Sequence, residues 1–149
     1  MPPPASATFR IITHGSRDYE DAVRLREAIL RKPLGLSFSA AELAAEKGNI
    51  HIAGFLEGRP CASAMLVPQG SRCKMQRVAV EAGRQGTGIG SAMLAFCEEL
   101  ARARGFREMY CHARSTAVPF YLKHHYAPEG EEFEEQTIPH RKMRKRLAP

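Results

Sequence analysis

MQRVAVEAGRQGTGIGS, Met75 to Ser91, passes from an apolar strand pattern into a glycine-rich loop. The strand candidate is Cys73 to Val80, and the loop is Gly83 to Gly90. Ile89, Ala92, Met93, Phe96, Leu100 and Ala103 then fall on one face of a helix that Gly105 ends. A loop of this kind at a strand-to-helix junction is an anion site. The first turn of a helix has N–H groups without intrahelical acceptors, and its dipole adds partial positive charge. Glycine lets phosphate oxygens reach the backbone without meeting side chains. A plain tight turn is the bland alternative. Gly86, Gly88 and Gly90, at alternate positions on the way into the helix, make it the weaker one.

Two nucleotide patterns fail at residues their chemistry needs. A P-loop counted from Gly83 to Gly88 would continue with lysine and a hydroxyl residue, but Ile89-Gly90 follow. A dinucleotide fingerprint starting at Gly86-x-Gly88 wants a third glycine at Ser91. It also wants an acid closing the next strand, where Cys111, His112 and Ala113 stand.

Upstream, Phe9 to Thr13 is a strand candidate, and Asp18 to Arg31 a helix with Tyr19, Ala22, Val23, Leu25 and Ile29 near helical spacing. Pro33 stops that helix. Ser39-Ala-Ala-Glu42 is a capping box that opens a second helix. Ile50 to Leu56 and Pro60 to Val67 flank Glu57-Gly58 and predict a hairpin. Downstream come a strand over Phe106 to Ala113, a short helix over Thr116 to His124 and two final strands. The order β-α-α-β-β-β-α-β-α-β-β predicts mixed α and β around one sheet with several antiparallel hairpins, not a doubly wound parallel sheet.

The chain has 149 residues, 44% of them apolar and 26% charged, which suits one globular domain. The expected boundaries are a flexible tail over 1–8, a domain over 9–144 and a basic tail over 145–149. No apolar run approaches a membrane span, and no basic-then-apolar leader opens the chain. Cys61, Cys73, Cys97 and Cys111 form no Cys-x-x-Cys pair, so free thiols in a reducing cytoplasm are expected. Cys111-His112 and His124-His125 match no common zinc spacing, so no metal is expected. The formal net charge is +6, with Arg141, Lys142, Arg144, Lys145 and Arg146 clustered near the end. Such a cluster can bind nucleic acid, but it lacks interleaved aromatics for base stacking, and a solvated last strand accounts for it better.

Gln85-x-x-Gly88-x-Gly90 resembles the acetyl-CoA loop of the GNAT superfamily, and Met75 to Val80 resembles that family's fourth strand. Ala117-Val-Pro-Phe120-Tyr121-Leu-Lys123-His-His-Tyr126 is similar to its Ala-x-x-Phe-Tyr-x-Lys-x-Gly-Phe/Tyr segment. Leu30 to Gly35, Gly130 to Phe133 and Ile138 to Met143 resemble the small bacterial ElaA/YjcF-like branch. Two residues depart from the pattern. Arg114 stands where many members have asparagine, and an arginine there can still meet a phosphate. His125 stands where glycine is usual, and histidine is among the more tolerant residues in a left-handed turn.

The resemblance implies a GNAT fold: a central, mostly antiparallel sheet flanked by helices. It implies direct transfer of an acetyl group from acetyl-CoA to a primary amine, and a possible homodimer. The backbone of Gln85, Gly86, Thr87, Gly88, Ile89, Gly90 and Ser91 would hold the pyrophosphate. The edge of Val78, Ala79 and Val80 would pair with the pantetheine amides, as an added strand does. An N–H near Val78 would steady the developing oxyanion. Phe120 and Arg114 would contribute to the cofactor site, and Tyr121 would protonate the departing thiolate. The base that takes the amine's proton is open among His112, Glu46, His51 and His140. His112, on the strand after the cofactor helix, is the first of these, since histidine titrates near the right pH. An acyl-cysteine at Cys111 finds no support in the family pattern.

Two other classes compete. A sensor could bind acetyl-CoA on this fold without turning it over, although Tyr121 counts against that. A nucleic-acid binder could act through the basic cluster, with salt-dependent affinity as its mark. The run Glu131, Glu132, Glu134, Glu135 could attract a cationic amine, but a solvated strand edge is the commoner cause of such a run.

Overall fold

Strand β1 (Thr8–Ile12) leads into helix α1 (Arg17–Leu30), which starts where Ser16 Oγ accepts the Tyr19 N–H at 3.2 Å. These coordinates are a computed structural model that describes residues 6–147. After α1 a 3₁₀ turn carries Pro33 and closes on Gly35 at φ 72°. Helix α2 (Ala40–Ala45) opens on the expected capping box: Glu42 N–H donates to Ser39 Oγ, and Ser39 N–H donates to the Glu42 carboxylate, both at 3.1 Å. Strands β2 (Ile50–Leu56) and β3 (Arg59–Gln69) form the expected hairpin. Its turn residues, Glu57 and Gly58, have φ 51° and 78°, the mirror-image turn that matches strand twist.

Then follow β4 (Arg72–Val80), α3 (Ile89–Ala103), β5 (Glu108–Arg114), α4 (Val118–Lys123), β6 (Ala127–Glu135) and β7 (Ile138–Arg146). The strands form one seven-stranded sheet in the order β1-β2-β3-β4-β5-β7-β6. The β1–β2, β2–β3, β5–β7 and β6–β7 pairs are antiparallel, and β4–β5 is parallel. Parallel neighbours need a crossover, and α3 supplies it. The chain is therefore a mixed α/β protein built on a single sheet, as its pattern predicts.

Two compact units share the chain. One holds the residues up to Leu66 together with Arg77–Cys97. Its core gathers Ile12, Tyr19, Ala22, Ala53 and Phe55, with Val23 and Leu43 packed against them. The other holds Val67–Gln76 and the chain from Glu98 onward, and buries Met109, Cys111, Tyr126, Met143 and Leu147. All four cysteines are buried free thiols.

The ends differ from the expected boundaries. Regular structure already begins at Thr8, and residues 1–5 of the expected tail lie outside the described residues. At the other end, Lys145 and Arg146 belong to β7, not to a tail. Lys145 Nζ donates to Glu98 at 2.9 Å, and Leu147 is buried with its N–H on the Arg107 carbonyl at 2.8 Å. Lys142 and Arg144 share Glu129 at 3.4 and 3.6 Å, so this carboxylate offsets part of the basic cluster's charge.

Candidate active site

The loop after β4 is a chain of tight turns. Arg84 N–H donates to the Glu81 carbonyl at 3.0 Å, and Thr87 N–H to the Arg84 carbonyl at 3.4 Å. The Thr87 hydroxyl caps the same Arg84 carbonyl, and the Gln85 side-chain amide reaches back to the Val80 carbonyl at 3.3 Å. Gly83, Gly86 and Gly88 take φ 85°, 81° and 90°, where a side chain is strained. A Cβ built on any of the three meets no atom within 4 Å, so the space in front of the loop is open. The first intrahelical bond of α3 runs from Ala92 N–H to the Gly88 carbonyl at 3.0 Å. The amides of Ile89, Gly90 and Ser91 therefore precede the helical ladder, and no acidic residue stands in the first turn. A cleft lined by Leu56, Glu57, Arg84, Thr87, Gly88 and Ile89 opens beside them. Glycine backbone, open space and helix polarity together fit a pyrophosphate.

Strand β4 changes character at Arg77, which the sequence reading missed. Arg77 sits within the strand at φ 54°. The parallel register with β5 pairs Arg72 to Met75 with Glu108 to Cys111 and stops there. Val78, Ala79 and Val80 lie beyond that pairing, with Ala79 buried and the two valines half-buried. No glycine or asparagine marks Arg77 as left-handed, so the sequence carried no cue. The guanidinium of Arg77 reaches Glu46 at 3.4 Å, in a cluster with Arg26 and Tyr19.

Tyr121 is buried, with its ring 5.1 Å from Phe120 and 5.4 Å from Tyr126. Its side chain also hydrogen-bonds Cys111. Burial pushes the Cys111 thiol up to about 12, the Tyr121 hydrogen bond only partly offsetting it, so Cys111 is a neutral core thiol and no nucleophile. Phe120 is half-buried, and Arg114 closes β5 opposite His140. Helix α4 ends with Tyr126 N–H on the Tyr121 carbonyl at 2.9 Å and His125 N–H on the Leu122 carbonyl at 3.1 Å. His125 takes φ 71° there, the left-handed conformation expected of it.

Burial separates the four base candidates. Glu46 is 3% exposed. Burial acts to raise its pKa, but the Arg26, Tyr19 and Arg77 contacts outweigh that and hold it below the usual carboxylate range. A carboxylate so held is a poor proton acceptor. His51 is equally buried and bonds the Glu46 carbonyl at 2.9 Å; burial lowers its pKa. His140 is buried, bonds the Ile138 carbonyl at 2.7 Å and stacks on Phe133. His112 alone of the four is partly open, its side chain 28% exposed, and its Nδ1 meets Glu135 at 2.8 Å.

The loop and the Val78–Val80 edge lie in the first unit, and His112, Arg114, Phe120 and Tyr121 in the second. The profile of the acetyltransferase (GNAT) domain family matches residues 36–147. The chain belongs to the GNAT family. This GNAT chain is 26% identical over 136 residues to the uncharacterized N-acetyltransferase YjcF of Bacillus subtilis, covering 91% of this chain and 97% of YjcF. Its fold is similar to that of Escherichia coli ElaA, with a TM-score of 0.80 at 19% identity, covering 94% of this chain and 99% of ElaA. It is also similar to an aminoglycoside 6'-N-acetyltransferase complexed with coenzyme A. That match has a TM-score of 0.78 at 13% identity and covers 95% and 98% of the two chains. Family membership makes the protein an acyltransferase, with acetyl transfer as its general chemistry. No helix among the described residues is long and apolar enough to cross a membrane.

Proposed function

We propose that this enzyme transfers the acetyl group of acetyl-CoA directly to a primary amine. The observation that carries the proposal is the open glycine mouth of α3, where three positive-φ glycines leave bare backbone facing empty space. Acetyl-CoA supplies the thioester: a C–N bond forms to the amine, the C–S bond breaks, and of the two protons an ammonium nitrogen loses one ends on sulfur. Backbone N–H groups over Gln85, Gly86, Thr87, Gly88, Ile89, Gly90 and Ser91 bind the pyrophosphate. Val78, Ala79 and Val80 offer strand-edge amides to the pantetheine, and the N–H near Val78 steadies negative charge on the carbonyl oxygen. Arg114 and Phe120 complete the cofactor's contacts. His112 takes the first proton from the ammonium; the Tyr121 hydroxyl gives a proton to the departing thiolate and is restored by the second proton that the nitrogen loses. The reducing cytoplasm suits four unpaired buried thiols.

Acetyl-CoA at a hundredfold over its dissociation constant is expected to stabilise the fold by about 2.7 kcal/mol, raising Tm by roughly 5–10 °C. Thiol release with a panel of amines then tests turnover. A shift with NAD or ATP but none with saturating acetyl-CoA would overturn the assignment. So would tight acetyl-CoA binding without turnover on any amine, because that outcome describes a sensor.

Gly88→Val is expected to weaken acetyl-CoA binding at least tenfold, a loss of about 1.4 kcal/mol. A side chain there meets no atom of the protein, so the fold loses only the cost of a left-handed residue, roughly 1–2 kcal/mol. The branched side chain would instead fill the space the phosphate oxygens need. Calorimetry on the folded variant decides the matter, and unchanged affinity would move the phosphate site elsewhere.

A further inference from the structure

Residues 23 positions apart meet in the C-terminal hairpin: His112 Nδ1 and a Glu135 carboxylate oxygen lie 2.8 Å apart. Glu135 is the last residue of β6, held by a two-residue turn in which Gln136 and Thr137 take φ 54° and 62°. The Phe133 ring stands edge-on to the imidazole at 5.0 Å and an interplanar angle of 78°. One ring nitrogen is thus engaged and the ring plane is packed, while Nε2 has no hydrogen-bond partner among the described residues.

We infer that Glu135 is the positioning residue for the base, fixing the proton of neutral His112 on Nδ1 and leaving the Nε2 lone pair to receive the amine's proton. The inference rests on the proposed role of His112. A carboxylate accepts only, so the shared proton sits on Nδ1 and the tautomer follows. When Nε2 takes a proton from the substrate ammonium, the ring becomes an imidazolium and the amine keeps its lone pair. The Nδ1 proton stays where it was, facing the negative charge of Glu135. Nε2 later returns its proton to water, so His112 is unchanged over a cycle.

Other charges face this ring. Lys142 is the register partner of His112 on β7 and carries a positive charge. Its ammonium lies 4.8 Å from the centre of the Tyr110 ring and 3.4 Å from the Glu129 carboxylate, which offsets part of its charge. Tyr110 is 6.1 Å from His112, and Arg114 lies two residues further along β5. His140 sits on the other side of Phe133, bonded to backbone. Glu135 is therefore the only carboxylate bonded to the imidazole among the described residues. Its side chain is 45% exposed, so solvent screens the interaction and holds the effect near the low end for a charge pair.

The test is imidazole nitrogen NMR on the full-length chain, wild type and Glu135→Gln, with amine-dependent thiol release beside it. In the wild type the neutral ring is expected to carry its proton on Nδ1. Glutamine can donate as well as accept, so in the variant the proton is expected to redistribute toward Nε2. Turnover is expected to drop roughly tenfold, the lower end for a supporting residue, and Glu135→Asp should recover part of it. Glu135→Gln should add nothing in a His112→Gln background. An unchanged tautomer in Glu135→Gln would overturn the pairing itself. A changed tautomer with wild-type turnover would instead overturn His112 as the base, and the inference with it.

Discussion

Tyr121→Phe is expected to lower turnover on an accepted amine by roughly tenfold to a thousandfold while leaving acetyl-CoA affinity unchanged. The ring contacts of Tyr121, with Phe120 at 5.1 Å and Tyr126 at 5.4 Å, involve atoms that phenylalanine keeps. The hydroxyl meets the neutral thiol of Cys111, so its removal costs the fold about 1 kcal/mol and leaves no charge exposed. In the proposed mechanism what disappears is a proton donor, and the loss should fall on kcat more than on the cofactor's apparent affinity. Leaving-group dependence supplies a second check. A thiol of low pKa departs as thiolate without help, so acyl donors with such thiols should be less sensitive to the substitution. A packing defect would slow all donors alike. Wild-type turnover in a folded, cofactor-binding variant would assign the proton to water or to another residue.

Local pattern carried much of this protein. The capping box at Ser39 and Glu42, the Glu57-Gly58 turn and the amphipathic run from Ile89 each rest on neighbouring residues, and all three form as their spacing predicts. The features that were not legible depend on distant partners or on conformations that residue type does not mark. Arg77 is left-handed within β4, and Gln136 and Thr137 form a mirror-image turn with no glycine or asparagine between them. Arg26 lies on the buried face of α1 with Tyr19 and Ala22, although an arginine there reads as solvent-facing. Its burial makes sense only with Glu46, which comes from the end of a different helix. The base candidates show the same division. Sequence offers four; of these only His112 is left partly open, and its Glu135 contact is made across the last hairpin.

Glu46→Gln is expected to destabilise the protein by about 3–5 kcal/mol, the cost of leaving a buried charge uncompensated. Arg26 and Glu46 are 2% and 3% exposed, and their side chains form an ion pair. Tyr19 donates its hydroxyl to the same carboxylate at 2.8 Å, and Arg77 approaches at 3.4 Å. Glutamine keeps an acceptor for Tyr19 but removes the charge that balances Arg26, whose Nε already lacks a hydrogen-bond partner among the described residues. Adding Arg26→Met should therefore recover part of the loss, so that the double variant is more stable than Glu46→Gln alone. The same cluster sets the acid response. Burial lowers the pKa of His51, so the unfolded chain takes up that proton first and stability declines as pH falls below about 6.5. The Arg31 hydrogen bond, with the Ser39 backbone, holds Glu42 down at about 2. Glu46 is also depressed, since its partners outweigh the opposing effect of burial. Both carboxylates contribute stability above the unfolded value of about 4.5 and lose it as pH falls toward their folded values. Tyr19 acts at the other end: burial raises it to about 12, so its share is complete below about 10 and fades above that. Urea unfolding across pH should thus show a broad neutral plateau, a first decline below about 6.5 and a steeper one below about 4.5. In Glu46→Gln the plateau drops and the steeper acid limb becomes shallower. A loss under about 1 kcal/mol with an unchanged acid limb would mean that the Arg26–Glu46 pair holds little of this fold together.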